Sequence, residues 1–331
     1  GHMVDASIAM HTVMCGQFAE AAELADACWA AATRLRLDHV AMDSQLTRAV
    51  LAAHRGRRRE LSEATAEFHR LRAEESPESP LLLGLAGAFC ALLEEDRALA
   101  QAELDRAMSS MTSGSSVYHL SGRHGLNVLL GVLSGRAGWS DYETTTIDPA
   151  SVLRWDRQFT LFAHAVLLGR SGDPGKAAAA TAEALTAGEP YAMSRHLGLR
   201  LISEAALADG WGDPATWLRS AESFFHGRDI PAVAGACRAL LRKAGVRVPQ
   251  HRSGADGIPA DLRSTGVTVR EHEILVLLVG RLGNQEIADR LHLSPRTVER
   301  HVGSLMAKTG LPNRIALSQF AANMVAKRTP G

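Results

Sequence analysis

The segment 282–305 constrains the fold of this chain more than any other stretch. Its pattern predicts two short helices joined by a tight turn. Asn284 can cap the first helix by accepting a hydrogen bond from an unpaired backbone N–H. Ser294 followed by Pro295 is a start signal for the second helix, over 294–309, because a hydroxyl caps the terminus and proline suits the first helical position. The segment therefore predicts a compact helical pair.

Helical spacing separates the second helix into two faces. The apolar face consists of Val298, Val302 and Leu305, which would meet Ile287, Ala288 and Leu291 of the first helix, 285–291. The opposite face is polar or small and consists of Arg296, Glu299, Arg300 and Gly303. A helix that is held by its apolar back and carries arginines on its free face suits the major groove of DNA.

Two further helices are predicted on either side of this pair. Thr268 and Glu271 have the spacing of a capping box, and an apolar stripe follows them through Leu278. Downstream, Asn313 can cap a fourth helix that ends near Met324. The four segments together predict a small all-α module.

Three motifs of this module resemble the LuxR/FixJ/NarL-type helix-turn-helix. They are 267–274, 283–288 and 294–301, and they occur in the family's order and spacing. The resemblance covers about residues 267–325. It implies a four-helix DNA-binding module whose third helix reads the major groove and whose fourth helix commonly pairs two copies on DNA.

On this resemblance, two sets of functional residues are expected. The DNA-binding residues are Ser294, Arg296, Thr297, Glu299, Arg300, His301 and Lys308. Among them Glu299 and Arg300 would face base edges and the others phosphates, with Ser294 also capping the helix. The dimerisation residues are Ile315, Leu317, Phe320 and Met324, of which some pack inward and the rest form a two-fold seam.

The recognition helix departs from the family pattern at two positions. Glu299 stands where the family usually has lysine, and a carboxylate repels phosphate but can accept a hydrogen bond from a cytosine amino group. Gly303, three residues after Arg300, has no side chain to read a base edge. These departures leave the preferred DNA sequence open.

The preceding part of the chain, 1–245, predicts helix after helix with no strand alternation. Breaks recur about every 40 residues between an apolar helix and an alanine-rich one. They begin at Gly16, Gly56, Glu95, Gly135, Gly172 and Gly212. Because a single hairpin cannot bury its apolar face alone, neighbouring hairpins should stack, which resembles a superhelical tetratricopeptide-type (TPR-like) array. An irregular helical bundle is the alternative.

Loops are expected where this pattern fails. The stretches 76–80, 109–116 and 139–147 are polar or rich in serine and proline. The segment 246–260 combines proline, glycine and polar residues without periodicity. The predicted organisation is therefore a helical repeat domain over 1–245, a linker over 246–266 and the DNA-binding domain over 267–331.

Composition and charge agree with this division. Hydrophobic residues make up 46% of the chain and aromatic residues only 5%, a balance that favours helix. The net charge is zero overall, but residues 267–331 carry nine Lys/Arg against five Asp/Glu. A basic end on an acidic body is typical of a nucleic-acid-binding domain attached to a larger partner.

No catalytic, cofactor or metal site is predicted. The segment 172–176 has a Gly–Lys pair, but alanine follows the lysine where a phosphate loop needs Ser or Thr. The four cysteines and fourteen histidines lack metal-ligand spacing. No stretch is long and apolar enough for a membrane span. Because the cysteines suit buried thiols in a reducing cytosol and no catalytic motif is found, a cytoplasmic protein that is not an enzyme is expected.

The first hypothesis is a sequence-specific DNA-binding transcriptional regulator that acts as a homodimer on double-stranded DNA. Family habit favours activation, and the repeat domain would be the controlling part, with RNA polymerase or a small-molecule effector as further partners.

Large ATP-binding LuxR-class regulators combine an ATPase, helical repeats and this module. The chain resembles the last two parts, so an ATPase has either been removed or is lacking in this member. The alternative is a TPR-like interaction scaffold or small-molecule sensor in which DNA binding is secondary.

Overall fold

The computed structural model describes residues 2–71, 79–109, 123–246, 248, 258–259, 262, 265–280, 282–291 and 293–326. Within these residues the regular structure is helical and contains no strand, which confirms the predicted all-α class. The chain divides into two compact units, Gly1–Val248 and Pro249–Gly331.

Thirteen helices are described in the first unit. They are α1 (His2–Met14), α2 (Phe18–Leu35), α3 (Asp38–His54), α4 (Arg58–Arg70), α5 (Ser79–Leu93), α6 (Arg97–Ser109), α7 (Arg123–Ser134), α8 (Trp139–Ile147), α9 (Arg154–Arg170), α10 (Pro174–Ala187), α11 (Ala192–Asp209), α12 (Pro214–His226) and α13 (Pro231–Lys243), with a 3-10 turn at Pro149–Val152. The helices pack mainly against their neighbours in the chain, as expected for stacked hairpins.

The six predicted breaks all lie between consecutive helices. At Gly172 the backbone is left-handed, with φ of 80°, a conformation that glycine adopts without steric cost. Asp173 then caps α10 by accepting a hydrogen bond from the Lys176 N–H at 3.0 Å. The same left-handed turn is made at Glu95, a residue with a side chain, where φ is 63°. The breaks are thus fixed by local backbone and capping chemistry.

The first unit also has contacts that a simple repeat array lacks. Arg200 on α11 donates to Glu95 at 2.6 Å, and Arg97 donates to Glu204 at 2.7 Å. Arg200 is almost fully buried. These ion pairs tie the turn between α5 and α6 to a helix about 105 residues further along the chain. The stacking is therefore supplemented by long-range polar ties.

The loop predicted at 139–147 is wrong, because this stretch forms α8. The Gly138 N–H donates to Asp141 at 2.8 Å and so begins the helix. Trp139 and Tyr142 then pack around His164, with ring centroids 5.7 and 4.6 Å from the histidine ring. The three threonines of this stretch favour a loop, but Trp139 and Tyr142 have the three-residue spacing of one helix face. Of the other two predicted loops, 76–78 and 110–116 lie outside the described residues, whereas Ser79 and Pro80 belong to α5 and Ser109 to α6.

Four helices are described in the second unit. They are α14 (Val269–Leu278), α15 (Asn284–Leu291), α16 (Pro295–Thr309) and α17 (Arg314–Ala326). Their apolar faces meet in one core. Ile258 and Leu262, from the segment predicted as linker, are buried in that core, whereas Val246 and Val248 pack against the first unit. Apolar residues at both ends of the predicted linker therefore belong to the folded units.

None of the described helices combines the length and the apolar character that crossing a bilayer requires. The described His, Cys, Asp and Glu side chains also do not gather in groups of three that could ligate a metal ion.

Candidate nucleic-acid interface

The helix α16 begins and ends as its sequence predicts. Ser294 caps the N-terminus, since its Oγ accepts a hydrogen bond from the Thr297 N–H at 3.1 Å, and Pro295 occupies the first turn. The C-terminus closes at Gly310 in the left-handed conformation, with φ of 70°. Both ends of the predicted recognition helix are therefore set by local sequence.

The two predicted faces of α16 are confirmed. Its inward side chains, Val298, Val302 and Leu305, are buried in one cluster with Ile287 and Ala288 of α15. Burial of each large aliphatic side chain stabilises by about 1.5–3 kcal/mol, so this contact holds the two helices as a unit.

A buried carboxylate ties α16 to the start of α14. Glu271 forms the predicted capping box, accepting from the Thr268 N–H at 2.7 Å. The same carboxylate also accepts from Ser304 Oγ at 2.7 Å and from Lys308 Nζ at 2.9 and 2.7 Å. Burial raises the pKa of Glu271, but the hydrogen bonds from Lys308, Thr268 and Ser304 outweigh it and lower the pKa to about 2.

The predicted phosphate contact of Lys308 needs correction. Its ammonium bonds both oxygens of Glu271, and its side chain is only 28% exposed. With hydrogen bonds to both carboxylate oxygens, the ammonium already has its charge paired inside the unit. Lys308 therefore positions the recognition helix and is not a free cation on its surface.

Two arginines hold α15 at its ends. Arg314 of α17 donates to Asn284 Oδ1 at 2.5 Å and to the Leu282 carbonyl at 2.7 Å. Arg270 of α14 donates to the Leu291 carbonyl at 3.1 Å. The predicted cap at Asn284 is wrong, because Asn284 is already the first residue of α15 and its Oδ1 accepts a hydrogen bond from Arg314. Neither arginine's role could be predicted from local sequence, because their acceptors are 21 and 30 residues away.

The outward face of α16 is a stripe of exposed side chains. Ser294, Arg296, Glu299, Arg300 and Gly303 are exposed, while Thr297 and His301 are half-buried at its edge. The first three of these residues, with Thr297 and Arg300, line one shallow depression. Within the described part of the chain, Arg296 and Arg300 form no ion pair. The stripe therefore offers two available guanidinium groups.

The fourth helix divides the predicted dimerisation residues. Asn313 caps α17 by accepting from the Ala316 N–H at 2.9 Å. Leu317 is fully buried in the core of its own unit, so it is one of the residues that pack inward and is not part of a seam. Met324 is partly buried against the same core. Ile315 and Phe320 remain 71% and 37% exposed.

This arrangement defines the second unit as a helix-turn-helix module of the kind that binds duplex DNA: a scaffold helix, a turn and an anchored helix with a basic outer face. Residues 266–321 match the luxR family of bacterial regulatory proteins, so this part of the chain is a luxR-family DNA-binding domain.

Three similar proteins with curated descriptions are bacterial regulators. The DNA-binding transcriptional activator DevR/DosR of Mycobacterium tuberculosis is 37% identical over 99 residues, 29% of this chain and 44% of that protein. A protein of the same organism, described as the HTH-type transcriptional regulator Rv0890c, is 43% identical over 56 residues, 17% of this chain and 6% of its own length.

The oxygen regulatory protein NreC of Staphylococcus aureus is 44% identical over 52 residues, 16% of this chain and 24% of that protein. The chain thus spans less than half the length of each of these relatives. No solved structure matches the chain.

Proposed function

We propose that this chain is a DNA-binding transcriptional regulator that reads the major groove with α16. The distribution of cations in the second unit carries the proposal. Three of its six described Lys/Arg side chains are bound internally: Arg270, Lys308 and Arg314. The other three are exposed and form no ion pair among the described residues: Arg290, Arg296 and Arg300. Two of these three lie on the outward stripe of α16.

The exposed groups take different parts in this proposal. Arg296 and Thr297, at the start of α16, contact phosphates, with Ser294 and His301 beside them. Arg290, at the end of the scaffold helix α15, contacts the backbone that this helix crosses. Arg300 and Glu299, one turn further along α16, face base edges. Phosphate contacts give affinity and salt dependence, and base contacts give sequence choice.

Gel-shift titrations of the full chain at several salt concentrations test this assignment. Arg296→Ala should weaken binding to all duplexes alike and reduce the salt slope by about 1. Arg300→Ala should cost about 1–3 kcal/mol and relax discrimination at one base pair. Arg219→Ala, an exposed arginine of α12, is the control and should change neither quantity. Wild-type protein that binds no duplex at low salt would refute the proposal.

The regulator is proposed to bind DNA as a homodimer. Ile315 and Phe320 support this, because large apolar side chains that are exposed on one short helix are suited to a two-fold contact. Phe320→Glu should lower affinity for a duplex with two half-sites more than for a single half-site. Val152→Glu, a substitution of a 73% exposed residue in the first unit, is the control. Equal losses on both duplexes would count against the seam.

Activation, and control through the first unit, complete the proposal. The name of the relative DevR/DosR, a transcriptional activator, favours activation, which would involve contact with RNA polymerase. Such a regulator works where the DNA is, in the cytoplasm. Reporter transcription from a selected operator, with and without the protein, tests the direction of the effect: a fall in transcription would indicate repression.

A second function, as a sensor or interaction scaffold, is favoured by one surface of the first unit. Between α8, α9 and α10 lies a groove lined by Tyr142, Leu161 and His164. Ile147 and Val152, at the end of α8 and just after it, are 82% and 73% exposed. Deleting residues 246–331 separates the two functions: a scaffold keeps its cellular effect without the DNA-binding unit, whereas a regulator loses it.

A further inference from the structure

Of the five carboxylate side chains between residues 267 and 331, one has no bonding partner among the described residues. Four of the five are bound by groups of the same unit: Glu271, Glu273, Glu286 and Asp289 have as partners Lys308, Arg270, the Gly283 N–H and Gln285. The fifth, Glu299, is exposed on the outward stripe of α16. Within the described part of the chain it has no hydrogen-bond or ion-pair partner.

The neighbours of Glu299 on the helix leave its charge in place. A glutamate is best neutralised by a cation four residues later, and that position is Gly303. Packing inside the unit does not require glycine there, because an added Cβ would meet no atom within 4 Å. Arg296, three residues earlier, does not pair with Glu299 either. The outward stripe therefore carries a bare negative charge between two arginines.

Duplex DNA offers few groups that such a charge can approach. Phosphates repel it, and in the major groove guanine presents the acceptors O6 and N7, while thymine presents the acceptor O4 and a methyl group. The donors are the amino groups of cytosine and adenine. In adenine the acceptor N7 lies beside the amino group and repels the second carboxylate oxygen. On the cytosine ring the groove-side neighbour of the N4 amino group is a C–H group, so the base itself places no acceptor against the second carboxylate oxygen.

We infer that Glu299 selects a cytosine in each half-site by accepting a hydrogen bond from its N4 amino group, provided that α16 reads the major groove as proposed above. Arg300, the adjacent residue, is suited to a guanine in the same half-site through O6 and N7. The preferred half-site therefore contains G and C at the positions that these two side chains reach.

Selection of bound duplexes from random DNA with the full chain tests this. Wild type should enrich cytosine at one position of each half-site, with affinity roughly tenfold above that for thymine there. Glu299→Ala should bring that ratio below about twofold, and Glu299→Gln should move the preference toward adenine, which glutamine binds through N6 and N7. The matched control is Glu273→Gln, which changes an exposed carboxylate of α14 and should leave the preference for cytosine unchanged.

A modified base tests the hydrogen bond itself. N4-methylcytosine keeps its pairing with guanine but replaces the groove-facing amino hydrogen with a methyl group. Wild type should lose roughly tenfold in affinity for this duplex, and Glu299→Ala should lose almost nothing.

If Glu299→Ala retains the wild-type base preference while Arg300→Ala weakens binding, the inference is wrong and the proposed function stands. If wild type binds no duplex at all, the proposed function fails first.

Discussion

Replacing Glu271 with Gln should loosen the recognition helix without touching its outward face. The folded-state pKa of about 2 lies below the usual 4.5, so folding favours the ionised form. This depression corresponds to about 3 kcal/mol. Because Gln keeps an acceptor for the Thr268 N–H but carries no charge for Lys308, we expect a loss of about 2–3 kcal/mol at pH 7. That is a large share of the 5–15 kcal/mol typical of a domain.

The pH dependence follows from the sign of the same depression. The stabilisation is fully present above about pH 5 and is lost as the pH falls through 4.5 toward about 2, where the folded carboxyl takes up its proton. Glu271→Gln removes this group, so its contribution to acid unfolding of the second unit should disappear in that range.

Hydrogen exchange of the intact chain, followed by mass spectrometry of peptides from α14 and α16, measures the loss of stability in the second unit separately from the first unit. The α16 amides should lose protection by roughly 30-fold or more at pH 7, as a loss of about 2–3 kcal/mol implies. Glu273→Gln should change protection little, since it removes only an exposed ion pair. Unchanged α16 protection in Glu271→Gln would refute the structural role of this carboxylate.

Three further predictions concern the second unit. Lys308→Met should lower the thermal stability of the second unit. It should change the salt slope of DNA binding by much less than the change of about 1 that is expected for a phosphate contact. A change of about 1 in the slope would restore the phosphate assignment. Leu317→Ala should destabilise by about 2–5 kcal/mol in denaturant titrations, whereas a seam residue would affect mainly dimerisation. Gly303→Ala should stabilise the unit by about 0.5–1 kcal/mol, because the site is open and helical, and a lower melting temperature would contradict the open space.

The sequence predicted those parts of the module that depend on near neighbours. The cap at Ser294, the box between Thr268 and Glu271, and the buried face with Val298 all arise within four residues of each other or from helical period. The breaks of the first unit are equally local. Local pattern is misleading for α8, because its threonines favour a loop although Trp139 and Tyr142 have helical spacing.

The contacts that aim the recognition helix were not accessible from sequence. Ser304 and Lys308 reach Glu271 across 33 and 37 residues, and Arg314 reaches Asn284 across 30. A lysine on a basic helix gives no sign of which anion it will meet. Similarly, Leu317 and Ile315 are both aliphatic residues of one helix, and only the packing of α17 separates the buried one from the exposed one.

Thr268 is where the chain passes into the first helix of the DNA-binding domain, and its N–H donates to the carboxylate that also holds Lys308. As a consequence, the segment that leads into α14 and the recognition helix α16 are both held by the Glu271 carboxylate. Loss of the Thr268 N–H would leave Glu271 with one donor fewer and would fix the carboxylate that holds Lys308 less firmly. The anchoring of the recognition helix α16 is thereby linked to the position of the backbone at Thr268.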